Sequence, residues 1–216
     1  MDAHTVDGRT ARSRATRARV ATAAARLFTE RGYAATSIQS IAAEAGVAAQ
    51  TVYYAFGTKS AVLKHALDHA VAGDAAPVAT LDRPWVRRAL EAPDARGQIR
   101  LHTVGTASVM ERLSPLSEVL RGAADSDDEL RALWHASVDQ RRTVQRTFTE
   151  RLRERGALRP ELSADEAADT CLALLSPEVF ILYTRHCGWS VRRWRTWAEQ
   201  GLTRHLTELS TAPEQG

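Results

Sequence analysis

Helical periodicity constrains this chain more than any other feature. Apolar residues recur three and four apart through almost every segment, and the alternating β-branched runs of a half-buried strand are missing. Val20, Ala24, Leu27 and Phe28 share the inner face of a helix from about Arg12 to Arg31, and Gly32 stops it. Thr36 opens a second helix, with Gln39 three residues later as in a capping box. Ile38, Ile41, Ala42 and Ala45 face inward, and Gly46 ends it. A third helix follows within two or three residues and reaches Tyr54, with Val47, Val52 and Phe56 as anchors. Gly57 and Thr58 turn and cap the chain into a fourth, Lys59 to Ala72, whose buried stripe is Leu63, Ala66, Leu67 and Ala70.

Gly73, Pro77 and Pro84 mark a linker over 73–84. A short helix is expected from Trp85 to Glu91 and a longer one from Asp94 to Leu113, with Pro115 as a break or a fresh start. Asp125, Asp127, Asp128 and Glu129 suit the positive N-terminal end of the next helix, whose stripe runs through Leu130, Leu133, Trp134, Val138, Val144, Phe148 and Leu152 to a stop at Gly156. Ser163 and Glu166 form a second capping box. Residues 164–186 are apolar around much of their circumference, with a kink at Ser176-Pro177, and a last helix spans Ser190 to Leu209. The expectation is an all-α fold: an N-terminal three-helix helix-turn-helix domain and a larger C-terminal helical domain. The divisions are 1–11 disordered basic tail, 12–58 helix-turn-helix, 59–72 connecting helix, 73–210 C-terminal domain and 211–216 disordered tail.

Charge is unevenly placed. Residues 1–72 hold nine Lys/Arg against five Asp/Glu, whereas the remainder holds twenty against twenty-one. This asymmetry hints at a polyanionic partner and equally fits a solvated basic tail. Two cysteines, Cys171 and Cys187, make no disulfide framework. No charge-free apolar run approaches the ~18 residues of a membrane span, and no apolar core follows the early arginines as a signal peptide requires, so a cytoplasmic protein without a membrane partner is the expectation. No Gly-rich phosphate loop, nucleophile elbow or zinc-type cysteine spacing appears, so no enzyme and no cofactor are expected. His65 and His69 lie one turn apart, a spacing that can ligate a metal, but two histidines on an exposed helix face explain it more simply and no metal is assigned.

Two short helices joined by a tight glycine turn make a helix-turn-helix, whose second helix can enter the major groove. The run Gly32-Tyr33-Ala34-Ala35-Thr36-Ser37-Ile38, then Ile41-Ala42, Ala45-Gly46-Val47, Thr51-Val52-Tyr53-Tyr54, Phe56 and Lys59 resembles the DNA-binding domain of the TetR family of repressors over about fifty residues. The resemblance implies double-stranded DNA, as a pseudo-palindromic operator, for partner. It implies phosphate contacts from Thr36, Ser37, Tyr54 and Lys59, and places Gln50, Thr51 and Tyr53 at the exposed front of the third helix. There Gln50 can bond an adenine edge and Thr51 can meet a thymine methyl. Three positions depart from the family pattern: Ala48 where a capping Ser or Thr is usual, Gln50 for a small residue, and Ala55 for a common His. The basic arm Arg9 to Arg19 either reaches a neighbouring groove or is solvated.

For the C-terminal domain the resemblance implies an effector cavity and a homodimer surface. Trp85, His102, Thr106, Met110, Trp134, Val138 and Phe148 are the candidate lining for a small apolar or amphipathic effector, since such sites are mostly apolar with a few polar groups; a plain core is the alternative. Ala167, Cys171, Leu174, Leu175, Val179, Leu182, Trp194, Trp197 and Leu202 are the dimer candidates, against an intramolecular core. The expected function is a repressor released from its operator by a small molecule. A DNA-binding dimer without ligand sensing, or an activator, stays open.

Overall fold

The computed structural model describes residues 3–76 and 78–208 of the chain. The expected tail 211–216, Leu209 and Pro77 lie outside the described residues, as does the Arg9 side chain. Ten α-helices follow one another, with no strand among the described residues: α1 Ala3–Ala35, α2 Ile38–Ala45, α3 Ala49–Phe56, α4 Lys59–Ala72, α5 Pro84–Leu90, α6 Ala95–Ala123, α7 Asp128–Glu154, α8 Ala164–Leu174, α9 Pro177–Ile181 and α10 Val191–Leu206. A single π turn, Leu182–His186, follows α9.

The chain forms two units. The first takes Met1–Pro77 together with Pro115–His135, and the second takes Val78–Ser114 and Ala136–Gly216. The C-terminal part of α6 and the N-terminal part of α7 thus group with the N-terminal helices.

In the first unit α1 packs on α2 and α4. Val20, Ala24, Leu27 and Phe28 are buried with Ile38, Ile41 and Ala42 of α2, Val52 of α3, and Val62, Leu63 and Ala66 of α4. α1 starts earlier than expected, taking in residues 3–11, but the helical path breaks at Gly32 (φ 79°, ψ 168°) as the glycine there predicts. The α2 cap is also shifted by one residue. Ser37, not Thr36, is the N-cap, and its partner in the capping box is Ser40, not Gln39. Thr36 is fully buried, its hydroxyl donating to the Gly32 carbonyl (2.8 Å) and the Leu27 carbonyl (3.2 Å), so it staples the α1–α2 turn from inside. α4 begins and ends where the sequence places it, between the Thr58 cap and Gly73.

In the second unit the short α5 lays Val86 and Ala89 against Phe148 of α7. α8 and α10 pack together, burying Ala167, Ala168, Cys171, Trp194, Ala198 and Leu202. Thr149 donates to the Ala164 carbonyl (2.8 Å), joining α7 to the start of α8, where Ser163 and Glu166 make the expected box. The apolar stretch Ala164–His186 is long enough to cross a membrane by length and composition, but extended Ser176 (ψ 152°) and Pro177 divide it, as the sequence predicts. Pro115 does not break its helix: α6 runs through it, at the residue where the chain passes from the second unit to the first.

Candidate nucleic-acid interface

α3 is a two-turn helix held by one buried side chain, Val52, so its other faces are available. Gln50, Thr51, Tyr53 and Tyr54 are exposed, Tyr54 at 95%. A phenol left that open has no packing role, which removes the simplest alternative to a contact with a partner. Tyr53, 42% exposed, has its hydroxyl 3.4 Å from the Gln39 amide nitrogen of α2. That bond orients the Tyr53 ring and brings Gln39, which sequence reasoning used only as a helix-box residue, to the same surface. No side chain caps the α3 N-terminus at Ala48, so its first amides are free of an intrachain cap.

Ser37 remains exposed at the α2 N-terminus, beside the amides that could receive a phosphate. Thr36 does not: with no accessible surface and its hydroxyl committed to two carbonyls, it cannot donate to DNA, and its assignment as a phosphate contact is withdrawn.

Lys59 sits at the start of α4 with its ammonium 2.9 Å from the Tyr33 carbonyl and 4.2 Å above the Tyr33 ring. The carbonyl and the ring hold the charge at one place and leave hydrogen-bonding capacity on the ammonium. Burial, followed by the nearby carboxylates of Asp127 and Glu129, pushes the Tyr33 phenol above its ordinary pKa, against a smaller opposing hydrogen bond from Ser60. The α6–α7 junction thus reaches the residue that positions Lys59.

Arg17 is a further residue that the motif did not single out. Its guanidinium donates to the Ala55 carbonyl (3.0 Å) and lies 4.8 Å from the Phe56 ring centroid. It places a cation at the C-terminal end of α3, where the helix dipole is negative. His65 packs on Phe56 (ring centroids 5.0 Å apart) and is half-buried, which pulls its pKa below the ordinary value. It is therefore part of the head's packing and not, as the spacing suggested, one of two histidines on an open face. Arg26 of α1 pairs with Glu44 of α2 and with Glu30.

The effector candidates divide. Trp85, His102, Thr106, Met110, Val138 and Phe148 belong to the second unit and Trp134 to the first. The His102 and Phe148 rings stack at 3.7 Å, and Trp85 stacks with Phe148 at 6.1 Å. Burial drives the His102 pKa down to about 3, against a smaller upward effect of its hydrogen bond with Gln145. Gln98, buried one turn before His102, donates to the Phe148 carbonyl (2.7 Å). Neither glutamine was singled out from sequence.

The dimer candidates divide too. Ala167, Cys171, Leu175, Trp194 and Leu202 have at most 2% of their surface open. They are core of the second unit and a second copy cannot reach them, although the Trp194 indole N–H is buried without a hydrogen-bond partner. Leu182 is half exposed, and Leu174, Val179 and Trp197 keep part of their surface open. Tyr183, Trp189 and Trp197 gather beside Leu182, with Arg193 stacked 4.1 Å over Trp189.

Residues 21–66 match the family model of the bacterial regulatory proteins of the tetR family. Among solved structures, the chain is similar to the TetR family transcriptional regulator PfmR from Thermus thermophilus, at 26% identity and a TM-score of 0.60, over 85% of this chain and 96% of that one. NalD, the secondary repressor of the MexAB-OprM multidrug efflux pump in Pseudomonas aeruginosa, aligns at 20% identity and a TM-score of 0.65 over 89% and 97%. A transcriptional regulator from Saccharomonospora viridis in complex with choline aligns at 22% identity and a TM-score of 0.69 over 89% and 98%. No curated protein matches the chain.

Proposed function

We propose, from the premise that this chain carries a TetR-family DNA-binding domain, that it is a homodimeric transcriptional repressor released from its operator by a small molecule. The observation that carries the DNA reading is the open face of α3, on which Gln50, Thr51, Tyr53 and an almost wholly solvated Tyr54 stand together. Two such helices in a dimer enter successive major grooves of a pseudo-palindrome, about one helical turn apart. Ser37, Tyr54 and Lys59 take phosphates and set register, while Gln50 and Thr51 read base edges. The exposed Leu182 and the half-open Leu174, Val179 and Trp197 are the proposed meeting surface of the two copies. A protein that acts on DNA in this way works in the cytoplasm.

Release needs an effector that prefers the conformer unable to hold DNA, since a ligand shifts an equilibrium only by its difference in affinity. NalD is a repressor, and the Saccharomonospora viridis regulator was solved with choline; both facts support the repressor and effector parts of this reading. α6 and α7 are the proposed transmitters. Each carries residues of both units, and at their junction Asp127 and Glu129 act on Tyr33, which holds Lys59.

Selection of bound duplexes from a random library tests the reading and yields the operator. A palindromic consensus is the expected outcome, and recovery of no preferred sequence would overturn it. On the selected operator, Lys59→Ala should weaken binding and flatten the plot of log K against log salt by about 0.9 for the one phosphate lost. An unchanged slope removes Lys59 from the phosphate contacts.

A further inference from the structure

In the second unit, three polar side chains with buried, unpaired atoms lie on the facing helices α6 and α7. Gln98 and His102 lie one turn apart on α6, Gln145 and Phe148 one turn apart on α7, and His102, Gln98 and Gln145 are at most 7% exposed. Gln98 spends its amide nitrogen on the Phe148 carbonyl, and Gln145 bonds the His102 imidazole. Gln98 Oε1, Gln145 Oε1 and His102 Nε2 are then left buried with no hydrogen-bond partner. The two amide oxygens are acceptors, and the imidazole nitrogen donates or accepts according to its tautomer. Each costs stability unless something in the site pairs with it.

Beside them is a slot of ring shape. Gly105 on α6 has the Trp85 indole so close that an added Cβ would collide with it, so only glycine lets a flat ring lie there. Trp85 is partly exposed, on the first turn of the seven-residue α5.

We propose that Gln98, His102 and Gln145 are the polar end of a binding site for an uncharged aromatic molecule bearing a hydroxyl, which takes the slot over Gly105 when the Trp85 ring swings outward. The hydroxyl, at once donor and acceptor, pairs with these atoms, which a hydrocarbon cannot do. No charged side chain contributes to the His102 environment, so the site offers no counter-ion to an ammonium or a carboxylate. The proposal deepens the effector reading above and rests on it for its consequence, release of DNA, but the chemistry is tested with no DNA present.

Calorimetric titration of the full chain with 2-naphthol, naphthalene and choline tests it. 2-Naphthol should bind about tenfold or more tighter than naphthalene, as expected for a hydroxyl paired in a buried site, and choline should give no heat. His102→Leu should abolish the preference while naphthalene still binds, and Gln145→Leu should reduce it, which covers the case that one variant fails to fold. Equal affinity for 2-naphthol and naphthalene, no binding of 2-naphthol, binding of choline, or a preference that survives in both folded variants overturns the site. Library selection on the unliganded protein judges the DNA reading independently. A chain that selects an operator but ignores 2-naphthol loses this site alone, and one that binds 2-naphthol but no DNA loses the repressor reading alone.

Discussion

The two units handle their aromatic and polar side chains in opposite ways. The first turns polar and aromatic groups outward: Tyr54 is almost fully solvated, and Gln50, Thr51 and Tyr53 stand exposed beside it. Its buried Thr36 hydroxyl is paired, and His65 Nε2 is its one buried side-chain polar atom among the described residues left without a partner. The second unit turns such groups inward. Trp194 has no accessible surface and meets Phe180 edge-on at 4.9 Å, and Gln98, His102 and Gln145 are buried with unpaired atoms. Surface groups left open toward a large polyanion cost the folded state little. Interior groups left unpaired cost it more, and a fold keeps them where a small guest can complete the pairing.

Truncation separates the two units most sharply. Trp194→Ala should cost about 3–5 kcal/mol in urea unfolding, by lost burial and the cavity left behind. Tyr54→Ala, an equally drastic cut in the other unit, should stay within about 0.5 kcal/mol while weakening DNA binding. Equal losses of stability would erase the contrast.

Acid should act next most strongly, and through the second unit. His102 titrates at about 3 in the fold and near 6.5 when unfolded, so both states are neutral at pH 7. As pH falls below 6.5 the unfolded chain takes up a proton that the folded one refuses, and stability drops with pH until about 3. Between pH 7 and pH 5 the loss is on the order of 2 kcal/mol. His65 shifts in the same direction by its own burial, so the test compares the parent with His102→Leu: the variant should show the flatter pH dependence, and identical curves would contradict it.

The smallest change sharpens the head. Ala48→Ser supplies the hydroxyl that α3 lacks at its N-cap and should raise stability by about 0.5–1 kcal/mol, read from the shift of the urea midpoint.

Legibility followed the range of the interactions. α4 was read residue for residue because Thr58 and Gly73 cap it within its own few residues. The helix-turn-helix was legible for the same reason. Thr36 was misread because two adjacent hydroxyl residues can each cap, and only the burial of Ile38 and Ile41 decides that Ser37 does so. The apolar face of α8 and α10 was evident, but periodicity cannot say whether its partner is in the same chain; here Ala167, Cys171 and Trp194 find theirs within it. Gln98 and Gln145 are not legible as buried, because what Gln98 bonds lies on a helix about fifty positions away.

Pro115 carries a mechanical consequence. It offers no N–H to the Glu111 carbonyl, so α6 lacks one rung of its ladder at the seam between the units. An unbroken α-helix resists bending along its whole length, whereas one with a missing rung flexes first at that turn. The turn at Pro115 is therefore where α6 opens at the least cost.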